Sequence, residues 1–366
     1  MSIINVMWAS GSPFSSVHKV HQQIISQIDP SIEIKTWFLQ GDISDCSEPV
    51  KDAREWRLSS RLLKERHVWR LLKPWLHARL RKALLESGAK VMLLDGLGVA
   101  RVMLPILKNM TGIRAVVVFH GATRLREQHR SLFRQFPAER LTLAAVSQTL
   151  AMALQEDLQL PVQALRSALE PEAFCTRLLS RKQARRVLDL PADGIRVLGA
   201  VGRLVSDKGF DYLLDAFAQS LPRHPDLNLV IIGEGPDRGV LERKIKQLGL
   251  TGKVFLPGHK PGLAKLYRGF DWVVIPSREE GLGLVLQEAV IAGVPVLVSD
   301  LEVFREQLGD AGYYVPVADV SAWVNAIETL VAQESDSVSA SQFQALAPAA
   351  AWNRFCEDSR NLLSVI

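Results

Sequence analysis

Short apolar runs alternate with helical patterns along the chain, and this alternation limits the possible folds more than any other feature. The first half has such runs at 3–9, 33–39, 90–96, 115–121 and 143–147. The second half repeats the pattern with "VLGAVGRL", "NLVIIGEG", "KVFLPG", "DWVVIPS" and "VPVLVSD". Runs that are apolar throughout and separated by helices are typical of parallel strands buried on both faces. The sequence therefore predicts two doubly wound, Rossmann-like α/β domains that face each other across a cleft.

The composition is that of a soluble, intracellular protein. A chain of 366 residues, 48% hydrophobic and 23% charged, is long enough for two domains with full cores. No apolar run reaches the roughly 18 residues of a membrane-spanning helix, and the start lacks the basic region of a signal peptide. Cys46, Cys175 and Cys356 are odd in number and lack metal-site spacing, which indicates reduced thiols. We therefore expect a cytoplasmic protein without a metal site.

Charge divides the chain unevenly. Through residue 170 the sequence has 23 Lys and Arg and 15 Asp and Glu, and the remainder has 21 basic and 24 acidic residues. A basic half joined to a mildly acidic half indicates two modules with different surroundings. We predict a first domain over 1–170, a second domain over 171–345, and a C-terminal helix over 346–366 that crosses back to the first domain.

Doubly wound sheets bind ligands beyond the carboxyl ends of their strands, and unusual residues follow several of the predicted strands. After "DWVVIPS" comes "REEGLGLVLQEAVIAG", with Glu280 and Glu288 eight residues apart. Gly281 and Gly283 let the backbone approach a ligand, and the N–H groups at the start of a helix attract phosphate. A carboxylate would repel a diphosphate, so Glu280 suits sugar hydroxyls, and Glu288 suits a vicinal diol such as that of ribose.

Basic residues follow an earlier strand of the second half. Arg203 and Lys208 in "VGRLVSDKGF" offer a planar fork of donors and a point charge, both of which suit a diphosphate. The next strand ends in "GEGPDR", which lacks the third glycine of the G-x-G-x-x-G pattern. This absence argues against a nicotinamide site.

The order of these motifs closely resembles that of the retaining nucleotide-sugar glycosyltransferases of family 4. The order is G-R-x4-K-G, G-E-G-P, L-P-G, P-S-x-x-E-G-x-G-x-x-x-x-E-A and G-x-P-V, within 199–308. The resemblance is weaker in the first half, where it includes "FHG" and "AAVS". It implies the two-domain GT-B fold, with 1–170 as the acceptor-side domain and 171–345 as the nucleotide-sugar-binding domain. The chain departs from the pattern at Gly11, the one glycine kept of a glycine-rich loop, and at Ser167, which stands where the family has Asn.

The resemblance also assigns roles to individual residues. It implies that Arg203 and Lys208 bind the diphosphate, that Glu280 contacts the transferred sugar, and that His120 lies near the donor sugar. The implied donor-binding residues are Gly11, Gly202, Gly233, Gly258, His259, Lys260, Gly281, Leu282, Gly283, Leu284 and Glu288.

The implied reaction moves a hexose from a nucleotide-diphosphate sugar, with a UDP-sugar favoured, to a hydroxyl with retention at the anomeric carbon. Arg203, Lys208 and the helix start would stabilise the departing phosphate without a metal. The expected acceptor is a cell-surface glycan or glycolipid of lipopolysaccharide or lipid-linked polysaccharide assembly, and no cofactor besides the donor is expected. Two alternatives remain open: a non-catalytic binding subunit with the same fold and a nicotinamide-dependent oxidoreductase.

The segment 51–90 is strongly basic, with 12 Lys and Arg against 4 Asp and Glu, and it contains Trp56, Trp69 and Trp75. Basic amphipathic helices with tryptophan lie on anionic membranes, which predicts peripheral contact with the inner face of the plasma membrane. We expect Arg57, Arg61 and Lys64 to share one helical face. A solvated helix face with tryptophans in the core remains an alternative, whereas no nucleic-acid motif accompanies the charge.

Overall fold

The computed structural model describes residues 2–8, 15–40, 52–59, 71–333 and 335–364. The chain divides into two compact units. Unit 1 comprises Met1–Ser167 and Asn353–Ile366, and unit 2 comprises Ala168–Trp352.

Unit 1 is a seven-stranded parallel sheet with helices between its strands. The strands are β1 (Ser2–Met7), β2 (Glu33–Phe38), β3 (Ala53–Glu55), β4 (Ala89–Asp95), β5 (Arg114–Phe119), β6 (Leu141–Ala145) and β7 (Gln163–Ala164). The helices are α1 (Ser15–Ile25), α2 (Lys73–Ser87), α3 (Gly96–Leu107), α4 (Glu127–Arg134) and α5 (Gln148–Leu158).

Unit 2 is a six-stranded parallel sheet. Its strands are β8 (Arg196–Val201), β9 (Leu227–Ile232), β10 (Val254–Gly258), β11 (Trp272–Ile275), β12 (Val296–Ser299) and β13 (Tyr313–Val315). The helices are α6 (Pro171–Cys175), α7 (Arg181–Val187), α8 (Phe210–Ser220), α9 (Arg238–Gln247), α10 (Leu284–Ile291), α11 (Glu302–Leu308), α12 (Val320–Ala332), α13 (Ser335–Leu346) and α14 (Pro348–Leu363), the last of which ends in unit 1.

Both sheets reverse their strand order at one point. The order is β3-β2-β1-β4-β5-β6-β7 in unit 1 and β10-β9-β8-β11-β12-β13 in unit 2. Neighbouring strands in both sheets pair in parallel, for example β1 with β4 and β8 with β11. The order therefore switches between β1 and β4 and between β8 and β11, where open α/β sheets bind their ligands. The predicted pair of doubly wound, Rossmann-like units is confirmed.

Strand β11 shows why its apolar run is continuous. Trp272 and Val274 belong to a core with α8 and α12, whereas Val273 and Ile275 belong to a second core with α10 and α11. Successive side chains of a strand point to opposite faces, so a sheet covered on both faces needs apolar residues at every position. Short strands escaped the sequence pattern, since β3, β7 and β13 have only two or three residues.

The basic segment 51–90 is not one amphipathic helix, and this part of the prediction was wrong. It begins with β3 at the edge of the sheet, where charged side chains such as Arg54 and Glu55 discourage pairing with other chains. Arg57 follows β3 with a φ of 49°, outside helical geometry, while Arg61, Lys64 and Trp69 lie outside the described residues. Trp56 is buried against Trp37, with ring centroids 5.1 Å apart.

Only the end of that segment is helical in the part of the chain that the structure describes. Helix α2 buries Leu76 and Leu80, and it leaves Trp75 58% exposed. None of the helices in the described ranges combines the length and the apolarity needed to cross a membrane.

A buried arginine joins α7 to the sheet of unit 2. The Arg185 side chain is 1% exposed, and its Nη2 lies 2.8 Å from Asp271 Oδ2. Its Nε donates to the Gly269 carbonyl at 3.1 Å and its Nη1 to the Ala192 carbonyl at 3.0 Å. The same Asp271 oxygen accepts the Val197 N–H at 2.7 Å. Arg185 thus fixes the starts of β8 and β11, whose far ends carry the predicted site residues.

We predict that Arg185→Met lowers the free energy of unfolding by about 3 kcal/mol, because it removes the buried guanidinium partner of Asp271 and the donor to the buried Gly269 carbonyl. The measurement is urea denaturation followed by circular dichroism. Arg223→Met is the matched control, since that side chain is 71% exposed and pairs with Glu328 at 2.6 Å. The control should lose less than about 1 kcal/mol. Equal losses in the two variants would show that Arg185 does not anchor the sheet.

Candidate functional site

The switch point of unit 2 brings together a lysine and a glutamate that are far apart in the sequence. Lys208 ends a short 3-10 turn after β8, and Glu280 lies in the loop after β11. Lys208 Nζ forms an ion pair with Glu280 Oε1, and the Ser277 hydroxyl donates to the same oxygen at 2.9 Å. The side chains are 23% and 13% exposed, respectively. The ammonium therefore offsets the carboxylate charge that would otherwise repel an anionic ligand.

Arg203 lies in the same loop as Lys208 but differs from it in exposure and in ion pairing. It directly follows Gly202 at the end of β8, and its side chain is exposed. Within the described ranges, no carboxylate forms an ion pair with its guanidinium. A guanidinium without a carboxylate partner offers its fork of donors to an anion.

Arg278, which the sequence analysis did not single out, ties the two loops together. Its backbone N–H donates to the Asp207 carbonyl at 2.7 Å, and its Nη1 donates to the Ser206 carbonyl at 2.6 Å. The guanidinium also forms two hydrogen bonds with Asp211, of 2.7 and 2.9 Å, and lies over the Tyr212 ring at 4.9 Å. The Asp211 carboxylate raises the Arg278 pKa and the guanidinium lowers that of Asp211, as expected for a bidentate pair.

A close backbone contact reinforces this connection. Gly209 has a φ of 68°, and a Cβ built on it would lie 1.9 Å from the Pro276 carbonyl oxygen. The Tyr212 hydroxyl donates to the same carbonyl and lies 3.2 Å from Ser299 Oγ. No residue with a side chain fits at position 209 without moving the loop that carries Glu280. The glycine after Lys208 is therefore needed for the approach of the two loops.

Three of the predicted glycines meet at the carboxyl ends of β8, β9 and β10. The Gly202 N–H donates to the Ile232 carbonyl at 3.0 Å, and the Gly233 N–H donates to the Gly258 carbonyl at 3.1 Å. A Cβ on Gly233 would lie 1.8 Å from the Gly202 carbonyl oxygen, so the strand ends touch through backbone alone. These close backbone contacts are sufficient to explain why the chain has glycine at these positions. Their predicted contact with a donor stays a prediction.

The next helix start also depends on a glycine. Gly283 precedes α10 with a φ of 81°, and a Cβ there would lie 2.5 Å from the Phe304 ring. Gly281 and Leu282 are buried, and Leu284 is half-buried at the first position of α10. The N-terminal end of α10 therefore lies in the loop that carries Glu280, and its partial positive charge favours an anion there.

Glu288 lies in the last part of α10 and is 7% exposed. Its Oε2 accepts a hydrogen bond of 2.6 Å from the hydroxyl of Tyr267, a fully buried residue that the sequence analysis missed. Burial, together with the neighbouring carboxylate, raises the Tyr267 pKa well above its ordinary value, so the hydroxyl remains a donor. After β10, His259 is exposed and Lys260 is half-buried.

The predicted residues of unit 1 lie at the switch point of the other sheet. His120 follows β5, with its Nε2 3.0 Å from His21 Nε2 and 3.8 Å from Asp95 Oδ1 at the end of β4. His21 Nδ1 lies 2.7 Å from Asn5 Oδ1 on β1. His120 was predicted from the sequence but its partners were not, and Gly11 lies outside the described residues.

Comparison with known proteins matches the second half of the chain to one family. Residues 181–344 match the family described as "Glycosyl transferases group 1". The uncharacterized glycosyltransferase MJ1607 of Methanocaldococcus jannaschii is 39% identical over 137 residues, 36% of this chain and 35% of that protein. The lipopolysaccharide core biosynthesis mannosyltransferase LpsB of Rhizobium meliloti is 27% identical over 238 residues, 61% of this chain and 65% of that protein. These matches span less than two thirds of either relative's length.

The fold as a whole has solved counterparts. The structure of Anabaena Alr3699/HepE in complex with UDP and glucose superimposes with a TM-score of 0.76 and 17% identity, over 99% of this chain and 97% of that one. Identity at this level shows the fold alone. The chain therefore has the GT-B fold of glycosyltransferases, and its residues 181–344 match the group 1 glycosyltransferase family.

Proposed function

We propose that this protein is a retaining hexosyltransferase that moves a sugar from a nucleotide-diphosphate sugar to a hydroxyl of a glycan or glycolipid. The observation that carries the proposal is the Lys208–Glu280 ion pair beside the exposed Arg203 at the switch point of unit 2. Two cations and the start of a helix suit a diphosphate, and a carboxylate suits sugar hydroxyls. Neither a non-catalytic binding subunit nor a nicotinamide enzyme needs this combination.

The same residues suggest how leaving-group charge would be stabilised. As the bond to the sugar breaks, negative charge grows on the departing diphosphate. Arg203 and Lys208 follow β8, and the start of α10 follows β11, so all three groups of donors belong to the loops at the switch point of unit 2. Donors held there before the reaction would limit the cost of reorganisation. The proposal therefore includes no metal and no cofactor besides the donor. The retained configuration rests on the resemblance to family 4.

Two relatives support the substrate classes. The Anabaena protein with the same fold is described in complex with UDP and glucose, and LpsB is described as a lipopolysaccharide core mannosyltransferase. We therefore propose a UDP-sugar donor and an acceptor from lipopolysaccharide or lipid-linked polysaccharide assembly. A screen of nucleotide sugars by nucleotide release and by thermal shift tests the donor first.

The proposal includes membrane contact, now through helix α2. Trp75, Ala78, Lys82 and Leu85 follow each other at spacings of three and four, which places them on one helix face. Trp75 and Leu85 are 58% and 66% exposed. An exposed apolar stripe with basic residues matches the chemistry of an anionic lipid surface. The location would be cytoplasmic, on the inner face of the plasma membrane.

The diphosphate assignment predicts large losses of turnover on the identified donor. Arg203→Ala and Lys208→Ala should each lower kcat about a hundredfold, because one donor to developing charge contributes roughly 3 kcal/mol. Lys246→Ala, an exposed lysine of α9, is the control and should keep its turnover. Wild-type kcat in both test variants would refute the assignment.

A metal-free mechanism predicts that EDTA leaves turnover unchanged, since Arg203, Lys208 and backbone N–H groups meet the leaving-group charge. The measurement is the initial rate after chelation and desalting. Loss of activity that magnesium or manganese restores would contradict the mechanism.

Because Arg278 connects the two loops of the site, we predict that breaking its contacts lowers activity although Arg278 is not assigned to donor binding. Arg278→Met and Asp211→Asn should each lower turnover about tenfold, and the double variant should be no worse than Arg278→Met alone, since Arg278→Met already removes the ion pair that Asp211→Asn removes. Arg305→Met is the matched control, because Arg305 pairs with Asp300 at 2.6 Å and lies over the Tyr314 ring at 4.3 Å. Additive effects of the two substitutions, or an equal loss in the control, would contradict the link.

Membrane contact predicts binding to anionic vesicles that weakens with salt, since each basic residue near the surface contributes about 1 kcal/mol. The triple variant Trp75→Ser, Lys82→Glu, Leu85→Ser should bind less, while its turnover on a soluble acceptor analogue survives. Met152→Ser is the control, because Met152 is 62% exposed on α5 of the same unit. Vesicle co-sedimentation at low and high salt measures the binding of the wild type, the triple variant and the control. Equal binding by all proteins, or no binding by wild type, would exclude this role for α2.

A further inference from the structure

A chain of hydrogen bonds runs through the switch point of unit 1. Asn5 on β1 lies 2.7 Å from His21 Nδ1, and His21 Nε2 lies 3.0 Å from His120 Nε2. Asn5 and His21 are fully buried, and the two histidine rings have centroids 5.0 Å apart. Each of these contacts needs one donor and one acceptor, so together they restrict where the hydrogens are.

The positions of the hydrogens along this chain of contacts follow from Asn5. Its Oδ1 only accepts, so His21 Nδ1 carries the hydrogen of that contact, and a neutral imidazole then has a bare Nε2. Because His21 Nε2 can only accept, His120 Nε2 is the donor of the next contact. A neutral His120 with a hydrogen on Nε2 has a bare Nδ1. In the part of the chain that the structure describes, no residue donates to that nitrogen.

The surroundings keep both rings neutral. Burial lowers the pKa of His120 to about 3 and lowers the pKa of His21 well below its ordinary value, with the neighbouring histidines His120 and His18 adding to the effect on His21. Asp95 faces His120 at 3.8 Å, and burial raises the pKa of this carboxyl to about 6, although the Trp8 N–H, 3.4 Å away, favours its ionised form. The 3.8 Å separation is too long for a hydrogen bond, so His21 remains the acceptor for His120.

We propose that His21 is a positioning residue which holds His120 in the Nε2–H tautomer, so that His120 Nδ1 accepts a hydrogen bond from a neutral substrate hydroxyl. An unprotonated nitrogen offers a lone pair, which a hydroxyl can use and a carboxylate or phosphate cannot. The site therefore selects against an anionic group at this position. The identity of that hydroxyl as part of a sugar rests on the proposed function, whereas the tautomer does not.

The tautomer is measured directly by long-range proton–nitrogen correlation on protein labelled with 15N-histidine, with signals assigned through His21→Phe and His120→Gln. We expect His120 to show a protonated Nε2 and a bare Nδ1 at neutral pH. Asn5→Leu removes the terminal acceptor at similar volume. His21 can then place its hydrogen on Nε2 and donate to His120, so the His120 signals should shift to the Nδ1–H form. A purely structural role for Asn5 and His21 would leave them in place.

His129→Gln is the matched control, because His129 is a buried histidine of the same unit that accepts the Arg126 N–H at 3.1 Å. It should leave the His120 tautomer unchanged. A bare Nε2 on His120 in the wild type, or unchanged His120 signals in Asn5→Leu, overturns the proposal. Stoichiometric binding of Zn²⁺ that His21→Phe abolishes overturns it as well, because His21, Asp95 and His120, whose ligand atoms lie within 4.8 Å, would then hold an ion.

Activity assays distinguish a failure of this proposal from a failure of the proposed function. On the identified donor and acceptor, Asn5→Leu and His21→Phe should lower kcat/KM about tenfold, the effect of one lost hydrogen bond of about 1.4 kcal/mol. The expected tautomers in a protein without glycosyl transfer would contradict the proposed function alone. Full activity in variants whose tautomer has shifted would contradict the role of His120 Nδ1 in substrate binding.

Discussion

Two-sided burial of both parallel sheets is the constraint on which the rest of the structure depends. A strand such as β11 contributes alternate side chains to two separate cores, so no position along it can hold a charged group at low cost. The charged residues to which we assign binding are then confined to the loops beyond the strand ends. The strand order of each sheet switches at one point, between β8 and β11 and between β1 and β4. Arg203, Lys208, Glu280 and His120 all follow strands that lie at or next to these switch points.

Backbone contact then determines how closely the loops approach. Gly209 against the Pro276 carbonyl and Gly233 against the Gly202 carbonyl leave no space for a Cβ atom. Arg278 adds two backbone contacts and a bidentate ion pair across the same loops. The Lys208–Glu280 pair is thus held by its supporting residues before any ligand arrives, which is the arrangement expected of a preorganised binding site.

The sequence predicted the fold better than it predicted the supporting residues. Strands of four or more apolar residues were visible as runs, because burial on both faces forces every position to be apolar. Edge strands of two or three residues give no such signal, and β3, which lies within the basic segment 51–90, was therefore interpreted as helix. Arg278, Asp211, Tyr267 and His21 were missed for another reason. Their partners are distant in sequence, as with Tyr267 and Glu288, and one chain read alone does not show which side chains will meet.

The division of the chain has a consequence for how the protein is made. Unit 2 is continuous from Ala168 to Trp352, whereas unit 1 needs residues from both ends of the chain. The Arg114 guanidinium on β5 donates to the Leu362 carbonyl at 2.7 Å and to the Ser364 carbonyl at 2.8 Å. Both carbonyls lie at the C-terminal end of helix α14. During synthesis from the N-terminus, unit 2 has all its residues before unit 1 does. The sheet of unit 1 is therefore synthesised well before helix α14. Until that helix is made, the surface that it covers stays exposed and accessible to chaperones.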